Sequence, residues 1–314
     1  LIQRKMISQC VRIVLFTVFI FSTFSVTINI YSVGSFLAFI VSVFLLRGNK
    51  QYKDDSKEKS EPTTRQILNS LYPLVDRNDL ERKVDETVRN YVTYDATDTQ
   101  SVRHFRQIQE RTECIFAKRA KVWGNMDWNS DISLDDELSR CCATFLQFTI
   151  VCRQSKLDGF VFEIPTTNYA EDVQKFGNTV RRVLKTLSDH DPRQYHCMNK
   201  SYVGKTGWVF EFNKVTFFIT TFASFYPESN SRYSFGCENS FILLQPELSF
   251  ALHDLSPDTP ETNFEHPVTE RDRIRKCYRD AGRGYRIPKD IRQPMAWDIV
   301  KPVNECDDIV EWWK

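Results

Sequence analysis

The segment GWVFEFNKVTFFITTF, residues Gly207–Phe222, decides the fold class of this chain. Two runs rich in aromatic and β-branched residues flank the pair Asn213 and Lys214. Residues of these types favour strands, and a two-residue connection between two such runs is typical of a β-hairpin. The segment therefore predicts two antiparallel strands joined by a tight turn.

Further strands and amphipathic helices are predicted on both sides of this hairpin. The additional strand-like runs are Thr144–Cys152, Gly159–Pro165 and Phe241–Pro246. Helical periodicity appears in Arg65–Val75, Asp79–Val92, Thr99–Thr112 and Ala170–Asp189. Helices mixed irregularly with neighbouring strands predict an α+β domain, with a mixed, largely antiparallel sheet flanked by helices.

The composition argues against nucleic acid as a partner and against a disulfide-stapled fold. Lys and Arg total 42 and Asp and Glu 41, so no overall positive field attracts nucleic acid. The nine cysteines form no C-x-x-C pair and no cluster with zinc-ligand spacing, which favours a reducing compartment. The 24 Phe, 12 Tyr and 6 Trp fit deep apolar cores, and such rings also suit the wall of a flat apolar cofactor.

A long charge-free run near the N-terminus predicts a membrane anchor. Residues Ile13–Leu46 contain no charged side chain, and a helix over this run would be ~51 Å long, beyond the ~30 Å hydrocarbon core. We expect one tilted transmembrane helix, preceding the soluble domain; a re-entrant hairpin that breaks near Asn29–Gly34 is the alternative. A cleaved signal peptide has a shorter apolar region, so the anchor is predicted to be retained.

The flanks of this run predict how the chain is organised around the membrane. More Lys and Arg residues follow the run than precede it, which places the large C-terminal part in the cytosol, as in an anchor of the endoplasmic reticulum type. The charged segment 48–64 has few apolar residues and predicts a solvated linker. The predicted domains are therefore an anchor over 1–47, a linker over 48–64 and a soluble domain over 65–314.

Common catalytic signatures are missing, but four stretches are specialised in composition. The chain has no G-x-S-x-G, P-loop, G-x-G-x-x-G, H-E-x-x-H or kinase motif. The four stretches are CIFAKRA (Cys114–Ala120), FYPESNSRY (Phe225–Tyr233), LLQPELSFALHDL (Leu243–Leu255) and HPVTERDRIR (His266–Arg275). Each has an ordinary structural explanation: Cys114 as a buried apolar residue, Arg232 pairing with Glu228 or capping a turn, Gln245 before a Pro at a strand end, and Thr269 as a helix N-cap.

Taken in order, these blocks resemble the YqcI/YcgG family. The resemblance runs from the Cys-x-Phe-Ala-x-Arg-Ala element through DGFVFEIP, the hairpin, SRYSFG and LLQP to RDRIR and a Gly-Arg-x-Tyr turn, roughly Asp95–Pro302. SRYSFG with LLQP is the most specific part. Characterised members are haem-dependent N-oxygenases that hydroxylate guanidine nitrogens. The resemblance therefore implies haem as cofactor, a small nitrogen-bearing substrate, an electron-donor reductase and a role in secondary metabolism.

The resemblance also implies roles for particular residues. Cys114 occupies the Cys of the family's Pro-Cys-x-Phe-Ala element, with Glu113 in place of Pro, and is the expected axial ligand of the haem iron; His253 is the alternative. Arg232 is the expected anchor for a propionate or carboxylate, and Arg275 is a second candidate for that role. Tyr233 and Gln245 are further candidate catalytic residues.

One position departs from the family pattern. Asn230 stands where related sequences often carry His, and Asn is a poor haem ligand. The alternatives to an oxygenase are therefore a non-catalytic module that binds haem or another ligand, and a membrane-anchored interaction domain without a cofactor.

Overall fold

The predicted hairpin forms one edge of a five-stranded sheet. The strands are β1 Val122–Gly124, β2 Gly159–Ile164, β3 Phe210–Phe212, β4 Val215–Phe222 and β5 Ser240–Pro246. They lie in the order β1-β2-β5-β4-β3; β1 and β2 are parallel, and every other neighbouring pair is antiparallel. The predicted α+β domain with a mixed, largely antiparallel sheet is confirmed.

The computed structural model describes most of the predicted soluble domain. The described residues are 91–253, 255, 261–285, 287, 293–304 and 306–314, and they fall in one compact unit. The predicted anchor, the linker, the helix predicted over Arg65–Val75 and all but the last two residues of the helix predicted over Asp79–Val92 lie outside them. Among the residues that are described, no helix is long and apolar enough to cross a membrane.

Helices pack on both faces of the sheet. They are α1 Gln100–Arg111, α2 Leu134–Ser155, α3 Val173–Asp189, α4 Glu247–Leu252, α5 Glu270–Asp280 and α6 Ala296–Ile299. Shorter helical turns lie at Thr166–Tyr169, Ala117–Arg119 and Cys197–Asn199. The predictions of helices over Thr99–Thr112 and Ala170–Asp189 are confirmed, as is the N-cap at Thr269, whose hydroxyl accepts a hydrogen bond from the backbone of Asp272 in a capping box.

The hairpin turn has the geometry that a two-residue connection requires. Asn213 and Lys214 have φ values of 49° and 62°, and Phe212 pairs directly with Val215. Two consecutive residues with positive φ match the twist of the flanking strands. The Asn213 side chain also donates to the hydroxyl of Thr149 at 3.0 Å, which ties the turn to α2.

The prediction of a strand over Thr144–Cys152 is wrong, because this segment is the C-terminal half of α2. The helix begins at the N-cap Ser133, whose hydroxyl accepts a hydrogen bond from the backbone of Asp136 at 3.2 Å, and acidic residues fill its first turn. Residues of the segment are buried on several sides of the helix, so no helical period is visible in the sequence.

The two faces of the sheet bury different clusters. Phe145 of α2 packs against Phe160, Phe162, Phe212 and Phe217, with ring centroids 4.9–6.1 Å apart. On the opposite face, residues of α1 pack on the strands; this cluster contains Val102, Phe105, Ile108, Val161, Phe222, Phe241 and Leu243. Each such side chain stabilises the fold by roughly 1.5–3 kcal/mol. The packing of α1 fixes where its C-terminal end, and the residues after it, meet the sheet.

Candidate functional site

Cys114 lies just beyond the C-terminal end of α1. The helix is closed by Thr112, whose backbone N–H donates to the carbonyl of Ile108 at 2.9 Å. The backbone N–H of Cys114 donates to the Thr112 hydroxyl at 3.4 Å, and the carbonyl of Cys114 accepts from Ala117 at 3.0 Å. Burial raises the pKa of the Cys114 thiol, so the thiol keeps its proton at neutral pH. Cys114 is thus a partly buried, neutral thiol on a backbone held by hydrogen bonds.

Tyr278 of α5 connects Cys114 with the loop that contains Arg232. The Tyr278 hydroxyl and the Thr112 hydroxyl are hydrogen-bonded at 2.8 Å. Burial raises the pKa of Tyr278; the nearby Cys114 raises it further, whereas Arg232 lowers it. Among the described residues, the Tyr278 hydroxyl is hydrogen-bonded to Thr112 and not to Cys114 or Arg232. We call Thr112, Glu113, Cys114, Arg232, Tyr278 and Arg283 the Tyr278 cluster.

Arg232 is a buried cation with few partners. It is 7% exposed and lies in the loop FYPESNSRYSFG, Phe225–Gly236, between β4 and β5. Its Nη2 donates to the carbonyl of Asp298 at 2.8 Å, and its guanidinium lies 5.9 Å from the centre of the Phe222 ring. Its Nε is buried without a hydrogen-bond partner, and no ion pair to Arg232 occurs in the part of the chain that the structure describes. Glu228 instead accepts from the Tyr233 hydroxyl at 3.4 Å.

Glu113 and Arg283 form an ion pair beside Cys114. The Arg283 Nε and the Glu113 Oε1 are 2.8 Å apart, and each side chain is 15% exposed. Arg283 also donates to the carbonyl of Glu228, and its guanidinium lies 4.5 Å from the centre of the Phe235 ring. The second carboxylate oxygen of the glutamate, Oε2, is buried without a hydrogen-bond partner.

Buried polar atoms without partners gather on the face of the sheet that α1 covers. They include the Glu113 Oε2, the Arg232 Nε and the hydroxyl of Thr220, which pairs with Leu243 of the α1 cluster. Leaving a buried donor or acceptor unsatisfied costs about 1–3 kcal/mol. Native structures tolerate few such atoms, so each of them is a point that a ligand or ordered water would satisfy.

The other residues singled out in the sequence lie at several places. The His253 Nε2 is hydrogen-bonded to the buried carboxylate of Asp158 at 2.8 Å, and its ring packs on Phe116, two residues after Cys114. Arg275 is 1% exposed and donates to the carbonyl of Glu261 and the hydroxyl of Thr262.

Tyr233 and Gln245 are held by local packing. The Tyr233 ring packs on Phe235 at 5.3 Å, and the side chain points its hydroxyl toward Glu228. Gln245 pairs with Phe218 near the end of β5, which confirms the prediction that the Gln-Pro pair marks a strand end. Tyr233 follows Arg232, a member of the Tyr278 cluster, in the sequence. Among the described residues, the Gln245 side chain forms no hydrogen bond with this cluster.

A cleft of ≈ 1510 Å³ borders the Tyr278 cluster. Its described lining comes from the segments 204–206, 229–231, 279–285, 293–304 and 307–309 and from Ile287, and it includes Arg283 but neither Cys114 nor Arg232. Asn230 lines it, and its amide donates to the carbonyls of Pro302 and Val303 at 3.2 and 2.9 Å. Its Oδ1 accepts from the backbone of Arg232 at 2.9 Å. Asn230 therefore holds the loop in place through both ends of its amide.

Sequence reasoning missed Thr112, Glu113, Tyr278 and Arg283 as members of the site. A signal for Tyr278 exists: Ile274 and Tyr278 are the buried apolar pair, four residues apart, on an otherwise highly charged helix. The described residues hold no group of three or more His, Cys, Asp or Glu side chains arranged to bind a metal ion.

Comparison with known proteins gives one match. The model of the YqcI/YcgG family matches residues 102–276, more than half of the 314 residues, and this range contains all five strands. No curated protein and no solved structure matches the chain.

Proposed function

The chain belongs to the YqcI/YcgG family, and on this premise we propose that it is a haem-dependent oxygenase that hydroxylates a nitrogen atom of a small molecule, such as a guanidine or an amine. The observation that carries the proposal is the buried Arg232, which has an unpaired Nε and no carboxylate partner among the described residues. A buried charge without a counter-ion costs several kcal/mol. A bound anionic group, such as a propionate or carboxylate, removes this cost because it matches the guanidinium fork.

In this proposal, the Tyr278 cluster supplies the groups that would hold a haem. A partly buried thiol and a buried guanidinium both influence the pKa of Tyr278, and the aromatic rings of Tyr278 and Tyr285 pack together at 4.9 Å. Cys114 would hold the iron, and Arg232 would bind an anionic substituent of the porphyrin. When bound, a thiolate-ligated haem supplies the activation of dioxygen.

The surrounding residues keep these two side chains in place. The Thr112 hydroxyl, bound to Tyr278, accepts from the backbone of Cys114 and so holds the backbone of that residue. Asn230 holds the backbone of Arg232. Such supporting hydrogen bonds are needed because a reactive group must be positioned within a fraction of an ångström. Tyr233 and Gln245 complete the proposed set as polar contacts for the substrate.

The proposal includes a membrane tether and a redox partner. The charge-free run Ile13–Leu46 would anchor the enzyme in a membrane with the catalytic domain in the cytosol, near a reductase that supplies electrons. This run lies outside the described residues, and its membrane insertion is tested separately, by extraction of the full chain from membranes with carbonate and with detergent.

A specific observation supports a non-catalytic ligand-binding module as the second candidate. Asn230, at the position where the resemblance implies His, lines the cleft and uses its amide for loop contacts. A side chain bound in this way supplies neither a metal ligand nor a titrating group to the cleft. If relatives need that His for turnover, this chain would bind its ligand without transforming it.

Haem titration of the full chain in detergent tests the proposal. We expect a Soret band that saturates at one haem per chain, and weaker haem affinity in Arg232→Met. Arg181→Met is the matched control, because Arg181 is an exposed arginine on α3 that does not line the cleft. Absence of a Soret band would exclude both haem candidates, and equal affinity in Arg232→Met would remove Arg232 from the site. Turnover of guanidines by the reconstituted protein separates the oxygenase from the non-catalytic module.

A further inference from the structure

Five cationic side chains at one end of the sheet have no partner among the described residues. They come from the turn that follows α1, residues 115–121, and from the C-terminal end of α2 with the residues after it, 153–158. We call them the basic patch: Lys118, Arg119, Lys121, Arg153 and Lys156. All five are exposed, and none forms a side-chain hydrogen bond or an ion pair with another residue that the structure describes.

Backbone contacts bring the two segments of the basic patch together. The first residues of the parallel strands β1 and β2 pair directly, so the residues before both strands are neighbours. The backbone N–H of Asp158 donates to the carbonyl of Lys121 at 2.8 Å, and the backbone N–H of Lys121 donates to the Asp158 Oδ2 at 2.8 Å. The amide of Gln109 on α1 donates to two carbonyls of the turn, at 3.2 and 3.0 Å. The patch is therefore one surface on a fixed backbone.

No carboxylate of these two segments neutralises the basic patch. Asp158 is their one acidic residue; it is 2% exposed and is hydrogen-bonded to the Ser249 hydroxyl at 2.7 Å and to the His253 Nε2 at 2.8 Å. The dipole of α2 favours cations at its C-terminal end, which accounts for Arg153 and Lys156 but not for the three cations of the turn. In a chain with 42 basic and 41 acidic residues, this local excess indicates an anionic partner.

An exposed apolar side chain borders the basic patch. Leu252, the last residue of α4, is 46% exposed. The ring of the next residue, His253, packs on Phe116 at 4.8 Å, and Phe116 lies two residues before Lys118. Cations around an exposed apolar group suit a bilayer surface, where Lys and Arg contact headgroups and the apolar group enters between them. A protein partner fits less well, because protein interfaces are depleted of Lys.

We propose that the basic patch docks this domain on an anionic membrane surface, with its cations on lipid headgroups and Leu252 at the boundary between headgroups and acyl chains. The predicted anchor precedes the domain in the same chain, and the cytosolic leaflet toward which we expect the domain to face carries anionic lipids. Docking turns the segment that follows Cys114 toward the membrane. The contact is separate from the anchor, and it does not depend on haem.

Lysine modification of the full chain in vesicles tests the inference. The chain is incorporated into vesicles of phosphatidylcholine alone, or of equal parts of phosphatidylcholine and phosphatidylserine, and is acetylated briefly before mass spectrometry. Each Lys or Arg at an anionic surface strengthens binding by about fivefold. We expect Lys118, Lys121 and Lys156 to react at least about fivefold more slowly in the anionic vesicles, whereas Lys205 and Lys214 should react equally in both. High salt should remove the difference, because it screens the headgroup charge.

A combined variant, Lys118→Gln with Arg119→Gln and Lys121→Gln, should abolish the slower reaction of Lys156, which it leaves in place. The matched control removes three other exposed cations that lie outside the patch and form no ion pair within the described part of the chain: Arg181→Gln, Lys205→Gln and Lys214→Gln. It should keep Lys156 protected. Far-ultraviolet circular dichroism confirms that both variants are folded.

Three results would each overturn the inference. Equal reaction of Lys156 in the two kinds of vesicle would leave an acidic protein as the partner of the patch. Equal slowing of Lys205 and Lys214 would show that the whole domain, and not this surface, senses the membrane charge. Protection of Lys156 that persists in the folded patch variant would show that the three cations of the turn do not hold the domain on the membrane.

Discussion

Replacing Arg232 with methionine should leave the haem-free protein at least as stable as wild type, although it removes a charged hydrogen bond. Wild-type Arg232 donates one side-chain hydrogen bond, to the carbonyl of Asp298 at 2.8 Å. Its loss costs about 1.5–3 kcal/mol. The substitution also removes the desolvation cost of a guanidinium that is only 7% exposed and has no counter-ion among the described residues. That cost is several kcal/mol. Methionine has a similar length and keeps apolar contact with Phe222. The balance predicts a gain of about 0–3 kcal/mol.

Urea unfolding, followed by tryptophan fluorescence in the full chain, measures this balance. Arg181→Met is again the control, and because Arg181 is exposed the free energy of unfolding of this variant should change by less than about 0.5 kcal/mol. Haem added at ~100 times its dissociation constant should stabilise wild type by about 2.7 kcal/mol, and Arg232→Met by less. A loss of more than about 2 kcal/mol in haem-free Arg232→Met would refute the reasoning, because it would show that the protein itself compensates this charge.

Other changes test the fold and the thiol. In Gly124→Ala the new Cβ would lie 2.1 and 2.3 Å from two hydroxyl oxygens at the start of α1. We therefore expect the free energy of unfolding in urea to fall by about 2–4 kcal/mol, and a fall of less than about 1 kcal/mol would contradict this packing. Thr269→Ala should lose about 1 kcal/mol by the same measurement, since it breaks the capping box; an unchanged midpoint would mean that the cap is not formed in solution. Burial raises the pKa of the Cys114 thiol, so iodoacetamide at pH 8 should modify the exposed Cys277 and Cys306 first. The rate of modification of Cys114 should increase as the pH is raised above 8. Mass spectrometry that shows Cys114 modified first would contradict the raised pKa.

The fold was predictable where a local pattern specified the structure. Asn213 and Lys214 identified the hairpin, and Gln245 before a Pro identified the end of β5. The segment Thr144–Cys152 was assigned to the wrong class because α2 is buried on several sides, and a helix of this kind has an apolar run without a helical period. Its N-terminal signals, Ser133 and the acidic first turn, begin eleven residues before that run.

The candidate site was less predictable because its contacts join distant parts of the chain. Thr112 and Tyr278 are 166 residues apart, and Glu113 and Arg283 are 170 residues apart. Neither pair forms a sequence motif. The family resemblance identified Cys114 and Arg232, but the sequence does not show that Tyr278 connects them. It also does not show that His253 is bound to Asp158.

The carbon monoxide difference spectrum of the reduced, haem-reconstituted full chain is the most direct test of the claim that a sulfur in the Tyr278 cluster holds haem iron. Thiolate-ligated haem gives a Soret band at markedly longer wavelength than histidine-ligated haem does. We predict the long-wavelength band in wild type and its loss in Cys114→Ser, with His253→Ala unchanged. A band at the shorter wavelength in wild type, or one that depends on His253 and not on Cys114, would contradict the account.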